Sequence, residues 1–158
     1  MPTTTLENPA LPNLRLLFEA INSGDLSVIG DVVTEDFVDH GSPVSLPPGP
    51  DGYAQILGFV TRVLDITYQI EDLFSTEDRI CVRARAHGRA VAAVHGEAAA
   101  GKAYVMEALH VYRTEGDRLA EHWGVRDEFG VLVQVGVLPA PAIAGISPKL
   151  QQRATPEP

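Results

Sequence analysis

Apolar positions recur with a helical period in the first half of the chain and alternate in the second. Leu14, Leu17, Phe18 and Ile21 fall at i, i+3, i+4 and i+7, one face of a helix. Asn13 is expected to cap its start and Gly24 to end it. Asp25 is expected to cap a second, short helix that buries Leu26, Ile29, Val32 and Val33. The next segment, DHGSPVSLPPGP, is dense in Pro and Gly and predicts a loop. Asp51 is expected to cap a third helix, with Tyr53, Ile56, Leu57, Val60, Val63 and Leu64 as its apolar stripe.

From Ile66 onward the period falls to two, the spacing of a strand with one buried face. Ile66–Phe74, Arg79–His87, Lys102–Thr114 and Arg118–Arg126 are the four predicted strands. Turns are expected at Thr76-Glu77-Asp78 and Glu115-Gly116-Asp117, and an Ala/Gly-rich loop runs from about Arg89 to Gly101. Ile80, Val82, Ala84 and Ala86 share one face, while Cys81, Arg83, Arg85 and His87 share the other. Asp127 is placed to cap a last helix, Phe129–Val135. Helices followed by hairpins make an α+β arrangement: a curved sheet packed against three N-terminal helices and enclosing a pocket. Residues 1–138 read as a single domain and 139–158 as a loose Pro/Ala-rich tail.

Charge and composition narrow the function classes. The net charge of −9 argues against nucleic acid and against an anionic membrane surface. The longest uncharged stretch, Phe129 to Pro148, is interrupted by Gly130, Gly136, Pro139 and Pro141, so it does not read as a membrane span. The start lacks a basic segment followed by an apolar run, so a cytoplasmic location is expected. Cys81 is the single cysteine, which excludes an intrachain disulfide and a Cys-ligated zinc site. No phosphate loop, G-x-S-x-G or HExxH occurs, and neither cofactor nor metal is expected.

Three segments carry a family resemblance: DFVDHGSPVSLPPGPDG, DLFSTEDRICVRARAHG and GKAYVMEALHVYRTEGDRLAEHWGVRDEFGVLVQVG. Over roughly residues 11 to 137 the chain resembles the SnoaL-like polyketide cyclases, which have the nuclear transport factor two-like fold. The resemblance implies a cone formed by a bent sheet and three helices. It also implies a departure. In the cyclases that this chain resembles, the general base is an Asp directly after the Trp, in the order E-H-W-D. Here the segment reads EHWGVRD, and that position is Gly124.

The facing of the strands then nominates candidates. The resemblance puts the Gly124 face inside the cone, so His122 faces inward with it. By the same match His110 faces the pocket, on a face shared with Tyr104, Met106, Ala108 and Tyr112. Imidazole titrates near neutral pH and can take and return a proton, so His122 and His110 are the leading catalytic candidates. Asp127 would orient His122 or replace the missing base, besides capping its helix. Glu107, alone in an apolar run and facing away from His110, reads as a cross-strand ion pair with Arg83 or Arg85, or as a carboxylate of raised pKa. The resemblance puts the loop that begins at His40 at the cone's mouth, where His40 would touch substrate. Tyr112, Trp123, Tyr68, Met106 and Phe129 complete the expected substrate contacts, with Tyr112 able to donate to a carbonyl oxygen. An Asp–Arg–Asp set like that of limonene epoxide hydrolase-like members of the fold would draw on Asp127, Arg85 or Arg126, and Asp39.

Three functions follow as expectations. The first is a cofactor-independent cyclase or isomerase acting on a polyketide-type or other apolar metabolite through His-mediated acid/base chemistry. The second is an epoxide-opening enzyme, either a hydrolase or a pyran- or furan-forming cyclase. The third is a non-catalytic small-molecule-binding domain, which a closed or filled cavity would favour. A homodimer is expected through the apolar outer face carrying Val105, Leu109, Val111, Trp123 and Val125.

Overall fold

The structure is a computed structural model and describes residues 8–146. In chain order its elements are α1 (Leu11–Ser23), α2 (Ile29–Val32), β1 (Val33–Asp39), α3 (Pro50–Arg62), β2 (Thr67–Ser75), β3 (Arg79–Arg89), α4 (Ala92–His95), β4 (Ala103–Glu115), β5 (Arg118–Arg126) and α5 (Glu128–Gln134). The fold is α+β: an open, curled sheet in the order β1-β5-β4-β3-β2, packed against helices. The strands β2 to β5 are antiparallel neighbours, as their alternation predicts.

Inward faces follow the period of two closely. Ile80, Val82, Ala84 and Ala86 of β3 are fully buried, as are Tyr104, Met106, Ala108, His110 and Tyr112 of β4 to within a few per cent. Against them pack Leu14, Leu17, Phe18 and Ile21 of α1 and Tyr53 and Leu57 of α3. Gly24 ends α1 with a left-handed φ of 77°, its N–H closing on the Ala20 carbonyl.

Several sequence expectations need correction. Val33–Asp39 is a strand, not the end of a helix and the start of a loop, so the sheet has five strands rather than four. It is parallel to β5, and a bulge between Val33 and Val38 breaks its alternation, leaving only Val33 and Phe37 buried. That irregular burial is why the period of two was not visible. Asn13 does not cap α1; its amide donates to the Asp117 carbonyl, and Asn8 holds the helix start by accepting from the Ala10 N–H. Asp25 accepts from the Ser27 N–H ahead of α2 and does not cap it. The third helix begins at Pro50 behind Gly49, with Asp51 inside its first turn rather than at its cap. Val63 lies beyond that helix and is exposed. The Ala/Gly-rich loop contains the short helix α4.

Asp127 does cap the last helix, accepting from the Gly130 N–H at 2.9 Å. After Pro139 the described chain adds one tight turn, closed by a bridge between Ile143 and Ile146. The rest of the expected tail, 147–158, lies outside the described residues. Among the described residues no helix is long and apolar enough to cross a membrane.

Candidate active site

The site forms where the two edges of alternation meet. In β4 and β5, His110 pairs with Gly124 and Tyr112 with His122, so the two histidines are diagonal neighbours on the inner face. The bulge in β1 brings Asp39 into register with His122 from the other side. The His40 N–H then extends the pairing, donating to the His122 carbonyl at 2.8 Å.

These residues form a continuous relay. Asp39 Oδ1 lies 2.7 Å from His122 Nδ1, and His122 Nε2 lies 3.0 Å from His110 Nδ1. Burial raises the affinity of the Asp39 carboxyl for a proton. The His122 hydrogen bond and charge, the Gly41 N–H and Arg126 outweigh it, and the group stays below the ordinary Asp range. Burial pulls His122 below the usual histidine value, although Asp39 works in the opposite direction. Burial also pulls His110 well below it, with His122 and Arg126 adding to the effect.

Those directions fix the tautomers. Asp39 is ionised and can only accept, so His122 Nδ1 carries the proton. A neutral His122 then offers its Nε2 lone pair, and His110 Nδ1 must be the donor to it. His110 Nε2 is left as a bare lone pair. It is buried and has no hydrogen-bond partner among the described residues. An unsatisfied buried nitrogen costs free energy, of order 1–3 kcal/mol, and marks a place where a partner belongs.

The cavity beside it is about 30 Å³ and is lined by α1, α3 and the inner sheet face, with Asp39, Tyr68, Tyr112 and Arg126 among its walls. That is room for a water molecule or two, well below the several hundred Å³ of a typical ligand pocket. Burial raises the hydroxyl groups of Tyr53, Tyr68 and Tyr112 above the normal phenol range, so all three remain donors. Tyr53 and Tyr112 hydroxyls lie 3.4 Å apart. The Tyr112 ring stacks on His122 with centroids 4.6 Å apart.

Gly124 stands where the resemblance led to the expectation of an Asp, and its surroundings are closely packed. A Cβ there would lie 3.2 Å from Cε1 and Nε2 of His122 and from Nη2 of Arg126. Gly41 is packed as closely, its own Cβ direction blocked by the Gly124 N–H at 2.9 Å.

The expected site residues divide between the two faces. His110, His122, Tyr112 and Tyr68 line the cavity. Met106 is buried in the core on the same face of β4. The other residues lie elsewhere. Glu107 is on the outer face, paired with Arg85 and Arg83 across β3. Trp123 is on that face too, stacked flat on His40 at 4.8 Å. His40 Nε2 in turn meets Glu121 at 2.8 Å. Phe129 is exposed on α5, and Asp127 is engaged at the helix cap. Of the expected Asp–Arg–Asp set, Asp39 and the alternative Arg126 line the cavity, Arg85 pairs with Glu107 on the outer face, and Asp127 caps α5. Two cavity residues, Asp39 and Arg126, were named in sequence only as parts of that set. Spacing holds a signal for Asp39: it stands two residues after buried Phe37, on the same side of β1.

Comparison with known proteins agrees with this architecture. Aklanonic acid methyl ester cyclase DauD of Streptomyces sp. strain C5 is 23% identical over 133 residues, covering 82% of this chain and 83% of that protein. Wild-type IdmH from Streptomyces antibioticus is 28% identical with a TM-score of 0.69, covering 81% of this chain and 98% of that one. A SnoaL-like polyketide cyclase from Agrobacterium tumefaciens strain C58 shares the fold at 17% identity and a TM-score of 0.70, covering 83% and 100% of the two chains. The model of the SnoaL-like polyketide cyclases matches residues 13–135, and the chain belongs to that family.

Proposed function

We propose that the protein is a cofactor-independent cyclase acting on a polyketide-type β-dicarbonyl compound, with His110 Nε2 as the general base. His110, which lines the cavity and has a buried ring nitrogen with no hydrogen-bond partner among the described residues, carries this reading. The base absent at Gly124 is replaced by a histidine that lines the same cavity from the adjacent strand. His110 takes the proton from a carbon between two carbonyls. Its own Nδ1 proton passes to His122 Nε2, where Asp39 balances the positive charge. The electron pair of the broken C–H bond moves into an enolate. The enolate carbon attacks a second carbonyl of the same molecule, closing the ring. The oxygen of that carbonyl takes a proton back from the relay.

A base held neutral this strongly is weak, so it suits an activated C–H and not an ordinary one. The small cavity means that a polycyclic substrate enters by its reactive arm. On the α3 side of the cavity, Ile56 and Val60 are only half-buried.

Aklanonic acid methyl ester, on which DauD acts by name, is the first probe. The wild-type protein should accelerate deuterium exchange at the carbon between the carbonyls, and ring closure with it. His110→Ala should lose both by ~10²–10⁴ while keeping its circular dichroism. Wild-type rates in that variant would refute the assignment. The cavity of about 30 Å³ favours a second reading, a scaffold that binds without turnover. That reading predicts no exchange in the wild-type protein with any of a panel of β-keto esters.

A further inference from the structure

The relay explains where the proton goes and leaves open where the negative charge goes. The cavity wall contains one guanidinium, Arg126, which projects from the end of β5 on the same face as His122 and Gly124. Its hydrogen bond goes to a neutral acceptor: Nη1 donates to the Gly41 carbonyl at 3.1 Å. Tyr68 lines the same cavity, and the guanidinium charge works against the effect of burial on its hydroxyl. A guanidinium has five N–H donors, and the Gly41 carbonyl takes one of them. The carboxylate that shares the cavity, Asp39, is engaged by His122 and by the Gly41 N–H. Arg126 is only half-buried, and Gly124 leaves the space that its Nη2 occupies. Burial holds the Tyr68 hydroxyl above the normal phenol range, so it stays protonated and able to donate.

We propose that Arg126, with the Tyr68 hydroxyl, holds the oxygen that becomes negatively charged, so that the substrate is recognised by a β-dicarbonyl oxygen set against this pair. This inference rests on the enolate chemistry proposed above. The resulting site is polarised. Asp39 faces the side that gains a proton, and Arg126 faces the side that gains an electron pair. Deprotonation moves charge between two counter-charges already in place, which is the electrostatic preorganisation that lowers such barriers. Gly124 then suits this arrangement: a side chain there would crowd the guanidinium, with its Cβ 3.2 Å from Nη2.

Acetylacetone tests the pair without knowledge of the natural substrate, because its neutral and enolate forms absorb differently. Bound to the wild-type protein, its apparent acidity should rise at least about tenfold over free solution, the size of one charge-assisted hydrogen bond. Arg126→Met should abolish the shift, Arg126→Lys should restore part of it, and Tyr68→Phe should reduce it. His110→Ala should keep the shift while losing catalysed exchange, so failure of the base and failure of the oxyanion site are separable. If Arg126→Met fails to fold, Arg126→Lys and Tyr68→Phe decide. A wild-type shift retained in every Arg126 and Tyr68 variant that folds, or no shift in the wild-type protein, would overturn the proposal.

Discussion

Two histidine–carboxylate pairs sit back to back in this protein. Asp39 and His40 are consecutive at the end of β1, and Glu121 and His122 are consecutive in β5. Asp39 binds His122 at 2.7 Å on the inner face, and His40 binds Glu121 at 2.8 Å on the outer one. The chemistry and distance are nearly the same, and the surroundings are not. The inner side chains are 4% and 5% exposed; the outer ones are 40% and 25%. Burial is what separates the pairs. Inside, the hydrogen bond to ionised Asp39 orders His122 and passes that order on to His110, whereas the outer pair is screened by water and shared with Arg113. The environment of a pair therefore follows the face of the strand more than the residue type.

Removing the inner charge should have the largest effect. Asp39→Asn keeps an acceptor for His122 and Gly41 but removes the negative charge that balances the protonated relay. Cyclisation rate should fall by ~10²–10³, with little change in substrate affinity. Steady-state kinetics at saturating substrate measure this, and an effect below threefold would erase the distinction between the two pairs. Gly124→Asp sharpens the same point, because it puts a carboxylate where the sequence resemblance led to the expectation of one. Its Cβ would press on His122 and Arg126 at 3.2 Å. Activity should fall about ten- to a hundredfold, since displacements of this kind misalign the relay. A gain in activity would show that the missing Asp, and not the His110 nitrogen, limits the reaction.

Much of this was legible in sequence where a strand is regular. Alternation grouped His110 with Tyr104, Met106, Ala108 and Tyr112 and His122 with Gly124, the family resemblance turned those faces inward, and Glu107 fell on the other side. The departure at Gly124 was visible in EHWGVRD. Asp39 was harder to find, because the bulge in β1 removes the period of two that would have announced a strand. Three cap assignments failed for a related reason. Asn13, Asp25 and Asp51 are capping residue types near helix starts, but Pro12 and Pro50 set where two of those helices begin, and Asn8 reaches the first from outside. Burial of an unpaired ring nitrogen on His110 has no sequence signature, since it depends on what three other elements leave empty.

The pH dependence of stability should show the inner pair next. His110 and His122 are both held below the usual histidine value, so the unfolded chain binds their protons first. Stability is then full above about pH 6.5 and falls as pH drops below it, by up to about 1.4 kcal/mol per pH unit for each histidine. Asp39, held below its ordinary range, adds a further loss once pH falls through the carboxylate region. Urea melts from pH 8 to 5 should show this decline, and His110→Phe should flatten part of it. A stability flat across that range would contradict the neutral buried relay.

The outer pair should give the smallest effect. His40 stacks on Trp123 and meets Glu121, yet the backbone already fixes its position, through the bond from its N–H to the His122 carbonyl. Glu121 also retains Arg113 when His40 is gone. Solvent takes over whatever hydrogen bonds are lost, and an exposed ion pair contributes little. Glu121→Gln and His40→Ala should each change the cyclisation rate by less than about twofold and the melting temperature by no more than ~2 °C. A large kinetic effect from either would mean that the two faces communicate through β1, with Asp39 positioned by its neighbour His40 and not by the bulge alone.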